Sequence, residues 1–294
     1  MVEWRKQLGE VDAGEVTLVQ AVEWFATIYM PAQKLEESTW VEYRADVEQL
    51  IEFLGERGVQ RPAEVGLNHL QAFIATQNQR PIARRKVFAL KTFFHFLKQA
   101  EIIASNPAAV IIPPPHEEPQ PRALNTQEYR ALLGACAYSI RDRALIELLL
   151  GTGITLSEVV QLTMYDVDIN RDKGQLFVHG KGGYKRRILP LDFSVCHALD
   201  TWLVTRPDID DPALFVTKFY KPLGERSVQD IVHRYLKRAR IISASVSSLR
   251  HTYAVQELLK GTPLPTLQER LGLANRQDVV WYVPIAESMR RQVH

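Results

Sequence analysis

The sequence contains very little cysteine. Cys136 and Cys196 are the only cysteines among 294 residues, and they lie sixty positions apart. Neither belongs to a Cys-x-x-Cys pair or to a set of cysteines and histidines with the spacing of zinc ligands. The sequence therefore excludes a disulfide-stabilised scaffold and a zinc finger, and it favours a reducing, intracellular environment.

Long apolar runs are also absent. No segment reaches the length of about 18 apolar residues that a membrane-spanning helix requires. Residues 1–14 alternate charged and apolar side chains and lack the apolar stretch of a signal peptide. We therefore expect a cytoplasmic protein without a membrane partner.

An excess of charge of one sign is missing as well. The 36 lysines and arginines nearly balance the 34 aspartates and glutamates, and the formal net charge is +2. A nucleic-acid partner would therefore have to be bound by local basic patches. The chain is 46% hydrophobic and 24% charged, as in folded proteins, and its length suits about two domains.

Proline is concentrated in one place, which divides the chain. Five of the nine residues from Pro113 to Pro121 are proline, and this density prevents a helix and favours an extended connector. We predict an amino-terminal domain over 1–112, a linker over 113–121 and a carboxy-terminal domain over 122–294. The alternative is a proline-rich surface loop within a single domain.

Periodic apolar residues predict helices throughout the first domain. Spacings of three and four recur in segments near 18–29, 39–54, 67–74 and 82–99. Thr39 with Glu42 resembles a capping box at the start of the second segment. Four or five short helices of this kind would form a small bundle.

Helices and strands mix in the second domain. Asn125 with Glu128 predicts a helix start, and segments 176–178 and 187–189, on either side of a glycine-rich turn, predict a β-hairpin. Further helices are expected over 144–150, 228–240, 248–260 and 264–271. The chain is therefore expected to be mainly α-helical, with a small β-hairpin or sheet.

Two clusters of basic residues are candidate DNA-binding surfaces. The first lies on the fourth predicted helix without an intervening acidic residue, and it comprises Arg80, Arg84, Arg85, Lys86, Lys91 and Lys98. The second contains one acidic residue, and its basic members are Arg226, His233, Arg234, Lys237, Arg238, Arg240, Arg250 and His251. Such clusters bind phosphate oxygens. A charged face exposed only to solvent would have the same composition.

Four motifs in order resemble those of the tyrosine recombinase, or phage integrase, family. Residues 151–158 are similar to its T-G-L-R-x-S-E motif, and residues 180–187 are similar to its G-K-G-x-K-x-R hairpin. Residues 247–254 resemble H-x-L-R-H-T-F-A. Residues 271–273 resemble L-G-H, and Tyr282 follows at the place of the nucleophilic tyrosine. Together with the basic helical domain and the linker, the resemblance covers nearly the whole chain.

The resemblance implies a helical core-binding domain followed by a catalytic-type α+β domain, together forming a C-shaped clamp around double-stranded DNA. It implies transfer of a DNA phosphoryl group to tyrosine and then to another strand, without a metal or other cofactor. By position, Tyr282 matches the nucleophile, Arg250 an arginine that stabilises the phosphate, and Lys181 the general acid. Lys185 is a further candidate DNA contact, and His251 is expected to brace the fold.

Three positions depart from the family pattern. Thr155 replaces an arginine, Ser247 replaces a histidine, and Leu273 replaces the histidine or tryptophan of L-G-H. Because the loss of one transition-state donor costs about 10²–10³ in rate in other enzymes, we expect impaired or absent strand cleavage. The candidate replacements for the missing arginine are Arg141, Arg143, Lys185, Arg186 and Arg187.

Each matched residue also has a purely structural interpretation. Thr155 with Glu158 is a capping box at a helix start. Arg250 would be a partly buried ion-pair residue, with Glu158 as its partner. Tyr282 would be a core aromatic residue, and Lys181 would be a solvated residue in a hairpin turn.

A nucleotide-binding phosphate loop is excluded. Five residues separate Gly174 from Gly180 where a Walker motif has four, and Gly182 stands where serine or threonine is required. We therefore expect neither a nucleotide nor any other cofactor.

We predict a double-stranded DNA-binding homologue of the tyrosine recombinases that acts in site-specific recombination or integration. One hypothesis is an accessory or regulatory protein with impaired or absent cleavage, which the three replaced positions favour. The alternative is an active recombinase with a rearranged pocket and Tyr282 as nucleophile. A protein-interaction module without a DNA role fits the basic clusters poorly. By resemblance, the tail after Tyr282 is expected to support oligomers on DNA, including oligomers with a partner recombinase.

Overall fold

The computed structural model describes residues 3–9, 11–33, 37–115, 121–170, 173–180 and 186–292. The chain forms two compact units, residues 1–118 and 119–294. Each unit has its own buried hydrophobic core. Within the described part of the chain, no helix combines the length and the apolar content needed to cross a membrane.

The first unit is entirely helical over its described residues. Its α-helices are α1 (Glu3–Gln7), α2 (Leu18–Trp24), α3 (Met30–Ala32), α4 (Glu37–Gly55), α5 (Leu67–Ala75) and α6 (Arg80–Gln99). A π-helical turn over Phe25–Tyr29 joins α2 to α3. The predicted capping box at Thr39 is wrong, because α4 already begins at Glu37 and Thr39 lies within its first turn.

Aromatic side chains fill the core of the first unit. The ring of Phe25 lies 5.2 Å from that of Phe93 and 5.8 Å from that of Phe96, and Tyr29 lies 5.0 Å from Phe96. Such pairs add stability beyond the area that they bury. Helix α6 therefore contributes its apolar face to the core and leaves its opposite face for charged residues.

The second unit combines nine described helices with one three-stranded sheet. The helices are α7 (Thr126–Ala135), α8 (Ile140–Thr152), α9 (Leu156–Gln161), α10 (Phe193–Thr205), α11 (Glu225–Arg238), α12 (Val246–Leu259), α13 (Leu264–Leu271), α14 (Gln277–Val280) and α15 (Val283–Gln292). The strands are β1 (Val167–Asn170), β2 (Lys173–Val178) and β3 (Arg187–Leu191), all antiparallel. The expected mainly helical fold with a small sheet is confirmed.

The predicted hairpin is confirmed in its two strands. Leu176 of β2 lies opposite Leu189 of β3, and Val178 lies opposite Arg187. These four side chains are buried, so one face of the hairpin packs on the core of the second unit. The glycine-rich turn between the strands lies outside the described residues.

The end of α8 is set by a glycine that the fold requires. Gly153 has φ +63°, a left-handed conformation that ends the helix. A Cβ atom at this position would lie 2.4 Å from the ring of Tyr253 on α12. Only glycine therefore allows α8 to end against α12, and this contact places the start of α9 beside α12.

Candidate functional site

An open cavity of about 690 Å³ lies in the second unit between the start of α9, one face of α11 and the start of α12. Its lining includes Thr155, Ser247 and Arg250. All three are positions of the family's catalytic pattern, and Thr155 lies more than ninety residues before the other two in the chain. The fold therefore brings together the matched arginine and two of the three replaced positions.

Thr155 lines the cavity at the start of α9, where it is the residue that caps the helix. Its Oγ1 accepts a hydrogen bond of 3.3 Å from the amide of Glu158, and its own amide donates to Glu158 Oε2 at 2.8 Å. The capping box expected from the sequence is confirmed. The position therefore presents an uncharged hydroxyl group to the cavity, and that group already serves the helix.

Arg250 is half-buried and bonded to the backbone. Its Nη1 donates to the carbonyl oxygen of Gly153 at 2.5 Å, and its Nη2 donates to that of Leu271 at 2.7 Å. The guanidinium group thus ties the end of α8 to the end of α13. The expected ion pair with Glu158 is wrong, because Arg187 takes that place.

Arg187 and Glu158 form a buried, two-pronged ion pair. Arg187 Nη1 and Nη2 donate to the two carboxylate oxygens at 2.6 and 3.0 Å, and Nε donates to the carbonyl of Arg270 at 2.7 Å. Burial raises the pKa of Glu158, but the donors on Arg187 and Thr155 outweigh it, and the net pKa is lowered. This guanidinium group is buried in its ion pair, and Arg187 is not among the residues that line the cavity.

Two other arginines proposed as replacements for the missing arginine also form ion pairs. Arg141 pairs with Asp142 and also donates to the carbonyl of Val216. Arg143 pairs with Glu147. Arg186 is exposed, and it is the one described candidate for which no salt bridge within the described chain is found. Lys185, like the general-acid candidate Lys181, lies outside the described residues.

Tyr282 is buried, with 5% of its surface exposed. It packs in an apolar cluster with Tyr253 and Leu271, and Leu273 packs against the same cluster. Its hydroxyl lies 3.0 Å from Nδ1 of His251. Tyr282 is not among the residues that line the cavity.

The surroundings of Tyr282 and His251 keep both groups uncharged near neutral pH. Burial raises the pKa of the Tyr282 phenol, and Arg250 offsets only part of this effect. Burial and the nearby Arg250 lower the pKa of His251 to about 4. His251 is therefore neutral at pH 7 and is a weak base for the tyrosine proton.

The cavity has a balanced charge. Arg226 and Arg250 contribute two positive charges, and Glu225 and Asp230 contribute two negative charges. Arg226 lies 3.4 Å from Asp230 in an exposed pair on α11. A phosphate entering the cavity would meet carboxylates as well as guanidinium groups.

Helix α11 presents a basic face to solvent. Its apolar side, with Val228, Ile231 and Leu236, is buried in the core, and its exposed side carries cations. The exposed cations on and just after the helix are Arg226, His233, Arg234, Lys237, Arg238 and Arg240. One accessible surface therefore carries three candidate DNA contacts of the second cluster, Arg234, Lys237 and Arg238.

The basic cluster on α6 is less accessible than the sequence indicates. Lys86 is 1% exposed, and its Nζ lies 3.0 Å from Asp46 Oδ1 and 2.6 Å from Gln49 Oε1. Its assignment as a DNA contact is wrong, because the charge is used inside the helical bundle. The remaining members differ in exposure.

Arg80 is exposed at the start of α6, and Lys91 is half-buried. Arg84 donates to the carbonyl of Pro114 at 2.7 Å. Arg85 forms ion pairs with Glu42 and Asp46. Fewer than the six predicted cations of the first unit are therefore accessible to DNA.

Comparison with known proteins identifies the family. Residues 122–289 match the model of the phage integrase family, and residues 22–101 match the model of the phage integrase N-terminal SAM-like domain. The chain belongs to the phage integrase family. The first of these matches alone spans more than half of the chain.

Curated relatives of this family member are tyrosine recombinases. Tyrosine recombinase XerC of Bacillus subtilis (strain 168) is 28% identical over 290 residues, which cover 92% of this chain and 94% of that protein. Tyrosine recombinase XerC 2 of Ralstonia nicotianae is 32% identical over 271 residues, with coverage of 85% and 78%. The family of DNA recombination proteins is therefore shown by sequence as well as by fold.

Solved structures share the phage integrase fold. XerH site-specific recombinase bound to palindromic difH substrate matches with a TM-score of 0.75 and 18% identity, covering 92% of this chain and 83% of that one. A lambda integrase dimer bound to a COC' core site matches with a TM-score of 0.74 and 16% identity, covering 91% and 77%.

Part of the cavity lining was not predicted from the sequence. Arg226 and His233 were assigned to a surface cluster, and Ser157 and Ser245 were not singled out, yet all four line the cavity. The spacing of seven residues between Arg226 and His233 was an available signal, because it places both on one face of a helix. Nothing in the local sequence shows that this face adjoins Thr155.

Proposed function

We propose that this phage integrase family member binds double-stranded DNA at recombination or integration sites with impaired or absent strand cleavage of its own. It would act as an accessory or regulatory protein, alone or with a partner recombinase. Support for DNA as the partner comes from the family, from the basic face of α11, and from a solved structure of lambda integrase bound to DNA, which shares this fold.

The charges on α11 support DNA binding by ordinary electrostatics. Arg234, Lys237 and Arg238 are exposed along one end of the helix. Each phosphate that such a side chain neutralises releases counterions, so affinity depends steeply on salt concentration. In the first unit, Arg80 and Lys98 are exposed and Lys91 is half-buried. Arg84 and Arg85 would have to bind DNA while keeping, or by releasing, the partners that they have in the first unit.

The observation that carries the impaired-cleavage proposal is the composition of the cavity. Thr155 and Ser247 contribute hydroxyls where the family pattern has an arginine and a histidine, and Glu225 and Asp230 add negative charge. The transition state of phosphoryl transfer gathers additional negative charge on the phosphate oxygens, and donors already in place are needed to stabilise it. Losses among residues that act together are not additive, but each lost donor alone costs about 10²–10³ in rate.

The placement of Tyr282 gives independent support. A buried phenol with a raised pKa has to leave its apolar cluster and lose its proton before it attacks phosphorus. His251, whose Nδ1 lies 3.0 Å from the phenol oxygen, has a pKa of about 4 and is a poor acceptor for that proton at neutral pH. Both steps add to the barrier for cleavage.

An active recombinase is the second candidate, and the contact between Tyr282 and its neighbours favours it. Arg250 lowers the pKa of the phenol, and His251 lies within hydrogen-bonding distance of its oxygen. In this reaction the phenol oxygen forms a bond to phosphorus as the bond to the 5′ oxygen breaks. By family resemblance, Lys181 would protonate that leaving oxygen.

A nicked suicide substrate decides between these two functions. A target site is first selected from a pool of randomised duplexes, and covalent protein–DNA complexes are then measured on denaturing gels. We expect wild-type protein to retain the duplex but to form no more covalent complex than Tyr282→Phe. Covalent complex that forms with wild type and disappears in Tyr282→Phe would refute impaired cleavage.

A restored variant provides the positive control. Thr155→Arg, Ser247→His and Leu273→His together return the three family side chains, and we expect them to raise covalent complex above the wild-type level. Thr155→Arg removes a helix cap worth about 1 kcal/mol, so circular dichroism has to show that the variant is folded. Failure of the wild type to retain any duplex at low salt would refute the DNA-binding proposal itself.

The carboxy-terminal tail, which we expect to support oligomers on DNA, forms helix α15. Helix α15 packs on its own domain, where Ala286 is buried and Met289 contacts the cluster around Tyr282. We propose that oligomers on DNA form through release of α15 or through other surfaces. Sedimentation of the protein with and without a duplex carrying two sites measures this assembly directly.

A further inference from the structure

The second unit carries an exposed loop in which two adjacent aromatic residues are flanked by lysines. This aromatic loop comprises residues 217–221, with the sequence Thr-Lys-Phe-Tyr-Lys. Phe219 is 71% exposed and Tyr220 is 64% exposed, and Lys218 and Lys221 are exposed on either side. Adjacent large aromatic side chains at a loop tip serve no purpose in the core, so their exposure calls for a partner.

Hydrogen bonds hold the aromatic loop in a defined conformation. The amide of Thr217 donates to the carbonyl of Lys221 at 2.7 Å, and the amide of Tyr220 donates to the carbonyl of Thr217 at 3.1 Å. Thr217 Oγ1 accepts from the amides of Phe219 and Lys221 at 3.2 Å each. A loop ordered in this way loses less conformational entropy when it binds.

Polar contacts connect the base of the aromatic loop to the basic face of α11. Arg141 donates to the carbonyl of Val216 at 3.0 Å and to Asp142 Oδ1. Asp142 Oδ2 accepts from the hydroxyl of Tyr235 at 2.9 Å and lies 3.9 Å from Arg234 Nη1. These contacts fix the base of the aromatic loop to α11, the helix whose exposed face we propose to bind DNA.

The charge of the segment favours DNA as its partner. No aspartate or glutamate occurs from residue 212 to residue 224, and Lys218 Nζ lies 5.0 Å from the ring centre of Phe219. DNA places phosphates beside sugars and bases, so the lysines can bind phosphates while the neighbouring aromatic rings pack against sugars and bases. Proteins insert or pack aromatic side chains against bases in this way.

We propose that the aromatic loop is a second DNA contact beside the basic face of α11. Lys218 and Lys221 bind backbone phosphates, and Phe219 and Tyr220 pack against sugars and base edges of the same duplex. This inference rests on the proposed DNA-binding function, and it assigns part of that binding to groups that carry no charge.

The proposal is tested by measuring the affinity for the selected duplex over a range of salt concentrations. Phe219→Ala with Tyr220→Ala should weaken binding about tenfold while leaving the salt dependence unchanged, because apolar packing against sugars and base edges is lost but no phosphate contact is removed. Lys218→Gln with Lys221→Gln should reduce the slope of log affinity against log salt by about 1.8, at about 0.9 for each phosphate. Val204→Ala on α10 removes an equally exposed apolar side chain and should change neither quantity.

The outcomes separate this inference from the function on which it rests. Unchanged affinity in the Phe219/Tyr220 double variant, with wild-type binding intact, would overturn the inference alone. A loss of self-association without a loss of affinity for a single-site duplex would assign the loop to a protein partner and would also overturn it. If wild type does not bind DNA, the proposed function fails first.

Discussion

The buried ion pair between Arg187 and Glu158 joins the hairpin to the helix that presents Thr155, and its loss should be costly. The side chains are 4% and 7% exposed. Glu158→Gln would leave the guanidinium group buried beside a neutral amide, with the carbonyl of Arg270 as its remaining partner. Removing one member of a buried pair typically costs about 3–5 kcal/mol.

The expected change is large enough for thermal unfolding to measure. In a domain of this size, 1 kcal/mol shifts Tm by about 2–4 °C, so Glu158→Gln should lower the Tm of the second unit by about 6–20 °C. Asp230→Asn breaks the exposed pair with Arg226 and is the matched control. It should cost no more than about 1 kcal/mol.

The pH dependence of the stability difference between wild type and Glu158→Gln provides a second check. The pKa of Glu158 is lowered in the folded protein from an ordinary value of 4.5. Its contribution is therefore fully present above about pH 4.5 and is lost as pH falls through the lower folded-state pKa. The stability gap between wild type and Glu158→Gln should narrow in acid. A gap below 1 kcal/mol at pH 7 would refute the reasoning.

Three further predictions concern packing and surface charge. Lys86→Met should lower the stability of the first unit by about 3–5 kcal/mol, because it removes a buried partner of Asp46. Chemical denaturation measures this change, and a loss under about 1 kcal/mol would contradict the burial of the pair. Arg234→Ala with Lys237→Ala should reduce the salt slope of DNA binding by about 1.8, whereas an unchanged slope would remove α11 from the interface. Gly153→Ala should destabilise the second unit by more than about 1 kcal/mol in thermal melts, because its Cβ would clash with an aromatic ring and φ is positive.

Local patterns were sufficient for the elements whose signals lie close together in the chain. The capping boxes at Asn125 and Thr155 and the two strands of the hairpin follow from residues a few positions apart. Strand β1 was not predicted, although its four residues alternate apolar and polar side chains, because so short an alternation also occurs in loops. It is a strand because β2 offers it backbone hydrogen bonds.

Partners of buried charges were not predictable, because they depend on contacts between distant segments. The sequence marks Lys86 as one more cation on a basic helix, yet Asp46, forty residues earlier, draws it into the core. Arg250 was a reasonable partner for Glu158 by chemistry alone. The fold instead places Arg187 opposite that carboxylate and directs Arg250 to two carbonyl groups.

The sequence by itself determined the family, the mainly helical fold and the identity of the three replaced positions, because these depend on residue type and order. Tertiary structure alone decided which cations remain accessible, that Thr155, Ser247 and Arg250 share a cavity with two carboxylates, and that Tyr282 is buried against His251. The physical reason is that exposure, pKa and local charge depend on what each side chain packs against. In a folded chain those neighbours come mostly from distant parts of the sequence.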